Sequence, residues 1–421
     1  MNKDFRLAYD VIDKVFREGA YSNILLNEVL YISDNKALVT KLVYGVLEKN
    51  ITLEYYLSKV ISYKPQNKVY NILKLGLYML QYMDSIKPYT VCNEMVELCG
   101  IINKKAQKAF VNATLKKCVQ YKFDLPLDKK EKLMVEYSIP LWLVKAYFKQ
   151  YGEEIAEKII KHEPTTLEHI RHNKNLLSVE ELENKLKNNN INYKKSTVGG
   201  YFVKNNQFIT ELFNEGLITF QSPSSMLVCK SCDVKDNYKI LDLCSAPGGK
   251  SVYLSELANN LDIISCDIYP QRVEKIIEYS TRMRSNGIKT EVMDATVFKA
   301  DYKEKFDLVL ADVPCSGLGV AHKKADIYLN KSMEDINALS EVQYKILNNA
   351  IEYAKPNGII IYSTCTTLRE ENYNVIGKTL KFRNDVKLEK MNIGIDNDGY
   401  IQLLPFENNL DGFFIARLRK C

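Results

Sequence analysis

Lys239-Ile240-Leu241-Asp242-Leu243-Cys244-Ser245-Ala246-Pro247-Gly248-Gly249-Lys250 is the stretch that decides the fold. An apolar run ends on an acid, then passes through a proline and two glycines into a helix that begins near Lys250. That is how a buried strand hands over to a helix in a doubly wound sheet. Glycines at such a turn let a ligand approach the backbone and leave helix N–H groups free for an anionic group. A nucleotide-like cofactor is the expected occupant. The string also contains Gly-Gly-Lys-Ser, but position 244 is cysteine where a phosphate-binding loop needs glycine, so a nucleoside triphosphate site is not expected.

Further strands are expected over Asp262–Cys266, Thr290–Met293, Asp307–Ala311 and Gly358–Tyr362, with helical stretches between them. This alternation predicts an α/β, Rossmann-like parallel sheet. Tyr400–Leu404 and Phe413–Leu418 read as an antiparallel hairpin closing one sheet edge. Asp267 ends the second strand eighteen residues beyond Gly249, a spacing that suits a carboxylate gripping ribose hydroxyls. Asp294 ends the third strand, where it could accept from an adenine amino group. One acid at a strand end is usually just solvated. Asp267, Asp294 and Asp312 at successive strand ends mark the face where such sheets bind ligands.

Two cysteines follow strands, in Asp312-Val313-Pro314-Cys315-Ser316-Gly317 and Tyr362-Ser363-Thr364-Cys365-Thr366. A free cysteine is normally a small packing residue, and that reading is given to Cys92, Cys99, Cys118 and Cys266. Cys315 and Cys365 sit among turn-forming and hydroxylic residues that reach the ligand crevice. A thiolate adds well to electron-poor carbon, and cytosine C5 becomes nucleophilic only after a thiolate has added to C6. Two thiols facing a cofactor therefore fit methyl transfer to a pyrimidine ring. Cys229-Lys230-Ser231-Cys232 is a lone C-x-x-C in a chain with only four histidines. It reads as one helix face with incidental thiols, and no metal is expected. His162, His169, His172 and His322 receive no role.

A chain of 421 residues predicts two or three domains. The 58 basic residues exceed the 52 acidic ones by a formal +6, which permits nucleic-acid binding without requiring it. No apolar run is long enough for a membrane span and the start carries no secretory leader, so no membrane association is expected. The ten scattered cysteines fit a reducing cytoplasm. Residues 3 to about 120 carry helical periodicity: Leu7, Val11, Ile12 and Val15, then Leu38, Leu42, Val43 and Val46, then a denser run from Ile72 to Leu80. Residues 121–135 read as a charged linker.

With these motifs in place, the chain resembles the Sun/Fmu family of RNA 5-methylcytosine methyltransferases, in the bacterial subgroup that acts on small-subunit ribosomal RNA. The resemblance rests on Asp242–Lys250, on Asp312-x-Pro314-Cys315-Ser316-Gly317-x-Gly319, and on Tyr362–Thr366 followed by Glu370-Glu371-Asn372. Asp411-Gly412-Phe413-Phe414-Ile415-Ala416 and Arg171-His172-Asn173 add to it. Leu38–Gly45 and Phe110–Leu115 resemble the NusB-type helical domain of that subgroup.

The resemblance implies a NusB-like RNA-binding domain over 1–125, a linker and small α+β subdomain over 126–210, and a Rossmann-like methyltransferase domain over 211–421. It implies S-adenosyl-L-methionine on Cys244, Ser245, Ala246, Pro247, Gly248, Gly249 and Lys250, with Asp267 on the ribose and Asp294 near the adenine. Cys365 becomes the nucleophile and Cys315 assists product release. Asp312 meets the target base beside the methyl donor, and Lys250 reaches the same base. The implied partner is 16S ribosomal RNA, free or in an early assembly state, bound by a cytoplasmic monomer. A transfer-RNA substrate, an inactive RNA-binding protein and a DNA cytosine methyltransferase are the alternatives. Two segments depart from the family pattern and are expected to face RNA: Gln221-Ser222, where the family has aspartate at the second position, and Lys323-Lys324-Ala325, which lacks an arginine-proline before Asp326-Ile327.

Overall fold

In the computed structural model, which describes residues 1–329, 331–407 and 409–421, the chain forms two compact units. One comprises Met1–Lys161 with Ala321–Ser332, the other His162–Val320 with Met333–Cys421.

The first unit is helical: α1 (Lys3–Glu18), α2 (Ser22–Leu30), α3 (Lys36–Glu48), α4 (Asn50–Val60), α5 (Asn67–Tyr82), α6 (Pro88–Ile101), α7 (Lys108–Gln120), α8 (Lys129–Tyr137) and α9 (Leu141–Ile160). Helix α1 shows why these segments form. The Asn2 side chain accepts from the amides of Asp4 and Phe5, while Phe5, Ala8, Ile12 and Val15 line one buried stripe. Gly19 then closes the helix in the left-handed region at φ 66°. The dense run from Ile72 onward is indeed a central helix, since α5 is buried without interruption from Val69 to Met79. Each fully buried aliphatic side chain there contributes roughly 1.5–3 kcal/mol.

The expected linker over 121–135 is in part a helix. Asp128 caps α8 by accepting from the amides of Lys130 and Glu131. The charged residues that suggested a linker form its solvated face, while Leu133 and Val135 are buried. Thr52 of α4 donates to the Val135 carbonyl at 2.5 Å, so α8 belongs with the helical unit rather than with a connector. The unit accordingly runs to Lys161, beyond the expected boundary at 125. It also takes in Ala321–Ser332, where Ala325 and Leu329 pack on the helical core and Asp326 accepts from the Ser22 amide at 3.2 Å.

The second unit begins with a four-stranded antiparallel sheet in the order β2-β3-β1-β4. Its strands are β1 (Glu168–His172), β2 (Tyr193–Lys195), β3 (Tyr201–Val203) and β4 (Ile218–Phe220), accompanied by α10 (Val179–Asn188) and α11 (Gln207–Asn214). This small α+β layer reaches Phe220, ten residues past the expected boundary at 210, because β4 pairs with β1 to complete it.

Helix α12 (Pro223–Ser231) leads into the large sheet, in the order β10-β12-β9-β8-β5-β6-β7, with β11 paired to β12. These strands are β5 (Lys239–Asp242), β6 (Asp262–Asp267), β7 (Ile288–Val292), β8 (Phe306–Asp312), β9 (Ala354–Thr364), β10 (Val386–Leu388), β11 (Tyr400–Leu403) and β12 (Phe413–Lys420). Strands β7, β6, β5, β8 and β9 are parallel, as the alternation of strands and helices predicts. They are joined through α13 (Gly249–Ser255), α14 (Pro270–Arg282) and α15 (Met333–Tyr353), and α16 (Tyr373–Phe382) follows β9. The hairpin of β11 and β12 is present, but β12 is no edge, because it lies between β9 and β10.

Candidate active site

The C-terminal ends of β5, β6, β8 and β9 lie side by side, and every expected cofactor and catalytic residue follows one of these ends or that of β7. Between β5 and α13 the Ser245 amide donates to the Cys266 carbonyl at 2.8 Å and the Gly248 amide to the Ser245 carbonyl at 2.7 Å. Gly248 holds φ 105°, and a Cβ there would meet the Ile276 backbone at 3.3 Å, so this turn requires glycine. Beneath it Ser251 donates to Asp242 Oδ2 at 2.6 Å and is joined by the hydroxyls of Ser245 and Ser265. Asp242 Oδ1 is fully buried and has no hydrogen-bond partner. Burial pushes this carboxyl up to about 6.

Asp267 ends β6 and is buried, with the Tyr269 amide at 3.3 Å and the Arg272 guanidinium at 3.4 Å. Asp294 lies two residues beyond β7 and accepts on one oxygen from the amide and hydroxyl of Thr296. Asp312 ends β8. Its Oδ2 accepts from Lys250 Nζ at 2.6 Å and its Oδ1 from Ser363 Oγ at 2.6 Å. Ser363 is its register partner on β9. Burial by itself lowers the Lys250 pKa, but Asp312 more than offsets this and the ammonium is held well above its ordinary value. Lys250 also lies over the Phe413 ring, 5.7 Å from its centroid.

The two cysteines meet. Cys315 Sγ and Cys365 Sγ are 3.1 Å apart, and the Cys365 amide donates to Cys315 Sγ at 3.3 Å. Sharing a hydrogen bond with Cys365, together with burial, holds the Cys315 thiol well above its ordinary pKa. The Gly319 amide donates to the Cys365 carbonyl, and the Gly412 amide donates to the Gly319 carbonyl, both at 2.9 Å. The glycines of two separate motifs thus press against each other; a Cβ on Gly319 would lie 1.9 Å from the Gly412 oxygen.

Two residues to which the sequence assigns no role complete the site. Glu371 is wholly buried and accepts from Ser316 N at 2.8 Å, Ser316 Oγ at 2.5 Å and Gln343 Nε2 at 3.0 Å. Gln343 also donates to the Pro314 carbonyl at 2.9 Å. The residues on both sides of Cys315 are therefore fixed. Glu371 stands in sequence only as part of the Glu370-Glu371-Asn372 motif, and Gln343 has no sequence signal.

Cys229 and Cys232 are buried packing residues, as their sequence setting predicts. Burial pushes Cys229 up to about 12, and its sulfur faces the Lys250 carbonyl at 3.6 Å. Among the described residues no cluster of three metal-binding side chains occurs. At Gln221-Ser222 the two side chains part. Gln221 does not face outward but is buried, accepting from Arg171 Nε at 2.6 Å and donating to the Gly249 carbonyl at 3.4 Å. Ser222 caps α12 by accepting from the Ser225 amide, a task aspartate would also perform.

Residues 230–419 match the family of 16S rRNA methyltransferase RsmB/F and residues 5–120 the NusB family. The probable ribosomal RNA small subunit methyltransferase B of Bacillus subtilis (strain 168) is 35% identical over 98% of both chains. This chain belongs to the ribosomal RNA small subunit methyltransferase B family. The enzyme of that name from Klebsiella pneumoniae (strain 342) is 29% identical over 98% of this chain and 97% of its own. Among solved structures, PH0851 superposes with a TM-score of 0.83 at 23% identity over 99% of both chains. NSun6 from Pyrococcus horikoshii with SFG superposes with a TM-score of 0.60 at 22% identity, over 67% of this chain and 98% of its own. The chain is thus an S-adenosyl-L-methionine-dependent methyltransferase of ribosomal RNA carrying an N-terminal NusB domain. The row of strand ends fits that cofactor on its own chemistry, since the bare glycine turn leads into α13 and the Asp267 carboxylate, with only long contacts to Tyr269 and Arg272, keeps acceptor capacity for hydroxyls.

Proposed function

We propose that the chain methylates C5 of a cytosine in 16S ribosomal RNA through a covalent bond between Cys365 and C6. The observation that carries this reading is the 3.1 Å approach of two thiols at the ends of neighbouring strands β8 and β9, in the row that also holds Asp267 and Asp312. Two packing cysteines need not meet there. An enzyme that must both add a sulfur to a ring and expel it does need a second group beside the first.

S-adenosyl-L-methionine, held by residues 244–250, Asp267 and Asp294, supplies the methyl group. Asp312 and Lys250 hold a base flipped out of the RNA, since the face of C6 is blocked within a stack. The Asp312 carboxylate accepts from Lys250 and Ser363 and has lone pairs left for the cytosine amino group. Cys315 remains the thiol and donates to the sulfur of Cys365, which stands as the thiolate. Addition forms the S–C6 bond and shifts the ring electrons to C5, where the methyl group is received. The C5 proton is then lost to water, the C5=C6 double bond reforms, and the C6–S pair returns to Cys365 beside the Cys315 proton. The protein works as a cytoplasmic monomer on RNA that is free or early in assembly, so that the base is reachable.

The test uses the full chain, unmodified 16S ribosomal RNA and a labelled methyl donor. Cys365→Ala abolishes methylation and any covalent complex. Cys315→Ala forms a protein–RNA complex that survives a denaturing gel but turns over slowly. Bisulfite sequencing locates the base. An adduct in Cys365→Ala would transfer the nucleophile to Cys315 and overturn the proposal.

A further inference from the structure

We infer that Glu371 is a positioning residue for product release, acting through Ser316 on Cys315. This rests on the cysteine roles proposed above and extends them to a residue remote from substrate. Glu371 ends the short turn Arg369–Glu371 and is wholly buried, and its carboxylate oxygens accept from Ser316 and Gln343 rather than from a cation. A buried carboxylate without a cation is costly, and a neutral residue would pack there more favourably. Its hydrogen bonds point to what it does. Both carboxylate oxygens are spent on the turn that carries Cys315, directly through Ser316 N and Oγ and indirectly through Gln343, which also holds the Pro314 carbonyl.

The same turn is tied to the neighbouring strand end. The hydroxyls of Ser316 and Thr366 are 2.9 Å apart, and Tyr362 donates to the Glu371 carbonyl at 2.5 Å. Tyr362 and Thr366 bracket Cys365, but the Tyr362 bond is to the Glu371 main chain and survives loss of the side chain, so the carboxylate itself holds the Cys315 turn and reaches the Cys365 loop only through Ser316. In the release step the C5 proton goes to water, the double bond reforms, and the departing sulfur of Cys365 accepts a hydrogen bond from Cys315. If the turn loosens, that donor is misplaced, whereas addition by Cys365 and cofactor binding are not.

The experiment follows adduct lifetime, methyl transfer and S-adenosyl-L-methionine affinity in the full chain with unmodified 16S ribosomal RNA. Glu371→Ala is expected to behave as Cys315→Ala does. Cofactor affinity stays at the wild-type value, the adduct forms, and its release slows about a hundredfold, the size typical of losing a positioned proton donor. Glu371→Gln, which keeps an acceptor at the same reach, restores most of the release rate. Should Glu371→Ala fail to bind cofactor, Glu371→Asp decides: it keeps the charge but draws back from Ser316, and a long-lived adduct is expected. Wild-type adduct lifetime in Glu371→Ala or Glu371→Asp overturns the inference, as does release in Glu371→Gln as slow as in Glu371→Ala, which would assign the effect to charge rather than position. If Cys315→Ala itself releases product normally, the cysteine roles fail first and take this inference with them.

Discussion

The sulfur of Cys315 lies 3.1 Å from the sulfur of Cys365, although fifty residues separate them in sequence. Neither is fully buried, whereas Cys92, Cys99, Cys118, Cys229, Cys232 and Cys266 are. The pair therefore shares one accessible setting but, in the proposed mechanism, not one chemistry, since Cys315 keeps its proton and Cys365 attacks. Brief alkylation of the native protein is expected to label Cys365 and the exposed Cys421 first and Cys315 much more slowly. Cys118 and Cys229, pushed up to about 12 by burial, should stay unlabelled. Peptide mass mapping over a time course reads the order. Faster labelling of Cys315 than of Cys365 would reverse the assignment.

Asp267 makes a second prediction. Its buried carboxylate is held loosely, by contacts of 3.3 and 3.4 Å, and keeps acceptor capacity for two ribose hydroxyls. Asp267→Ala should cost about 2–3 kcal/mol of cofactor binding, roughly 30- to 160-fold in Kd. Calorimetry on the folded variant measures it, and an unchanged affinity would remove Asp267 from the cofactor site.

Much of this site is legible in sequence because its signals are local. Ile240 and Leu241 before Asp242, the glycines at 248 and 249, and acids at 267, 294 and 312 announce a ligand face from their spacing alone. What escapes depends on distant partners. A buried acid and a solvated one look alike in sequence, so nothing in Glu370-Glu371-Asn372 says that Glu371 turns inward to meet Ser316, 55 positions earlier, or that Asn372 turns inward beside it to meet Thr364 and Thr366. Strand β10 is three residues long, too short for alternation to register, and it exists because β12 offers it an edge. Helix α8 is hidden for the opposite reason, since Lys129, Lys130 and Lys132 give its outer face the composition of a linker.

The contact between Gly319 and Gly412 should not tolerate a methyl group. Gly319→Ala would set Cβ against the Gly412 carbonyl at 1.9 Å, backbone against backbone, where no flexible side chain can yield. A loss of about 1–3 kcal/mol in denaturant unfolding is expected, with slowed methyl transfer, because Gly319 also holds the Cys365 carbonyl. Gly377, inside α16, is the contrast, since a Cβ there would meet nothing within 4 Å. Gly377→Ala should stabilise by about 0.5–1 kcal/mol.

Arg171 binds the small antiparallel sheet to helix α13. Its Nη1 donates to both Glu256 oxygens at 2.8 and 2.7 Å, Nε donates to Gln221, and the guanidinium stacks 4.5 Å from the Tyr253 centroid. Both partners are buried, so Arg171→Met strands Glu256 without its cation. The expected cost is about 3–5 kcal/mol, far above that of a surface pair. Adding Glu256→Gln should recover a substantial part of it. Additive losses in the double-mutant cycle would show that the pair is not coupled.

Asp242 gives the pH prediction, and its sign is set by burial. The carboxyl sits at about 6 in the folded protein against 3.8 when unfolded. Between these values the folded chain binds more protons than the unfolded one, so stability falls as pH rises through this window. Below 3.8 both states are protonated and the penalty is absent; above about 6 it is fully present, on the order of 3 kcal/mol. Asp242→Asn keeps an acceptor for Ser251 and removes the charge. The difference in unfolding free energy between wild type and variant should therefore grow from pH 4 to 6 and then level, with the variant more stable at neutral pH when no cofactor is bound. Denaturant unfolding of both proteins across this range measures it, and a difference that stays constant with pH would mean that burial does not penalise the ionised carboxylate.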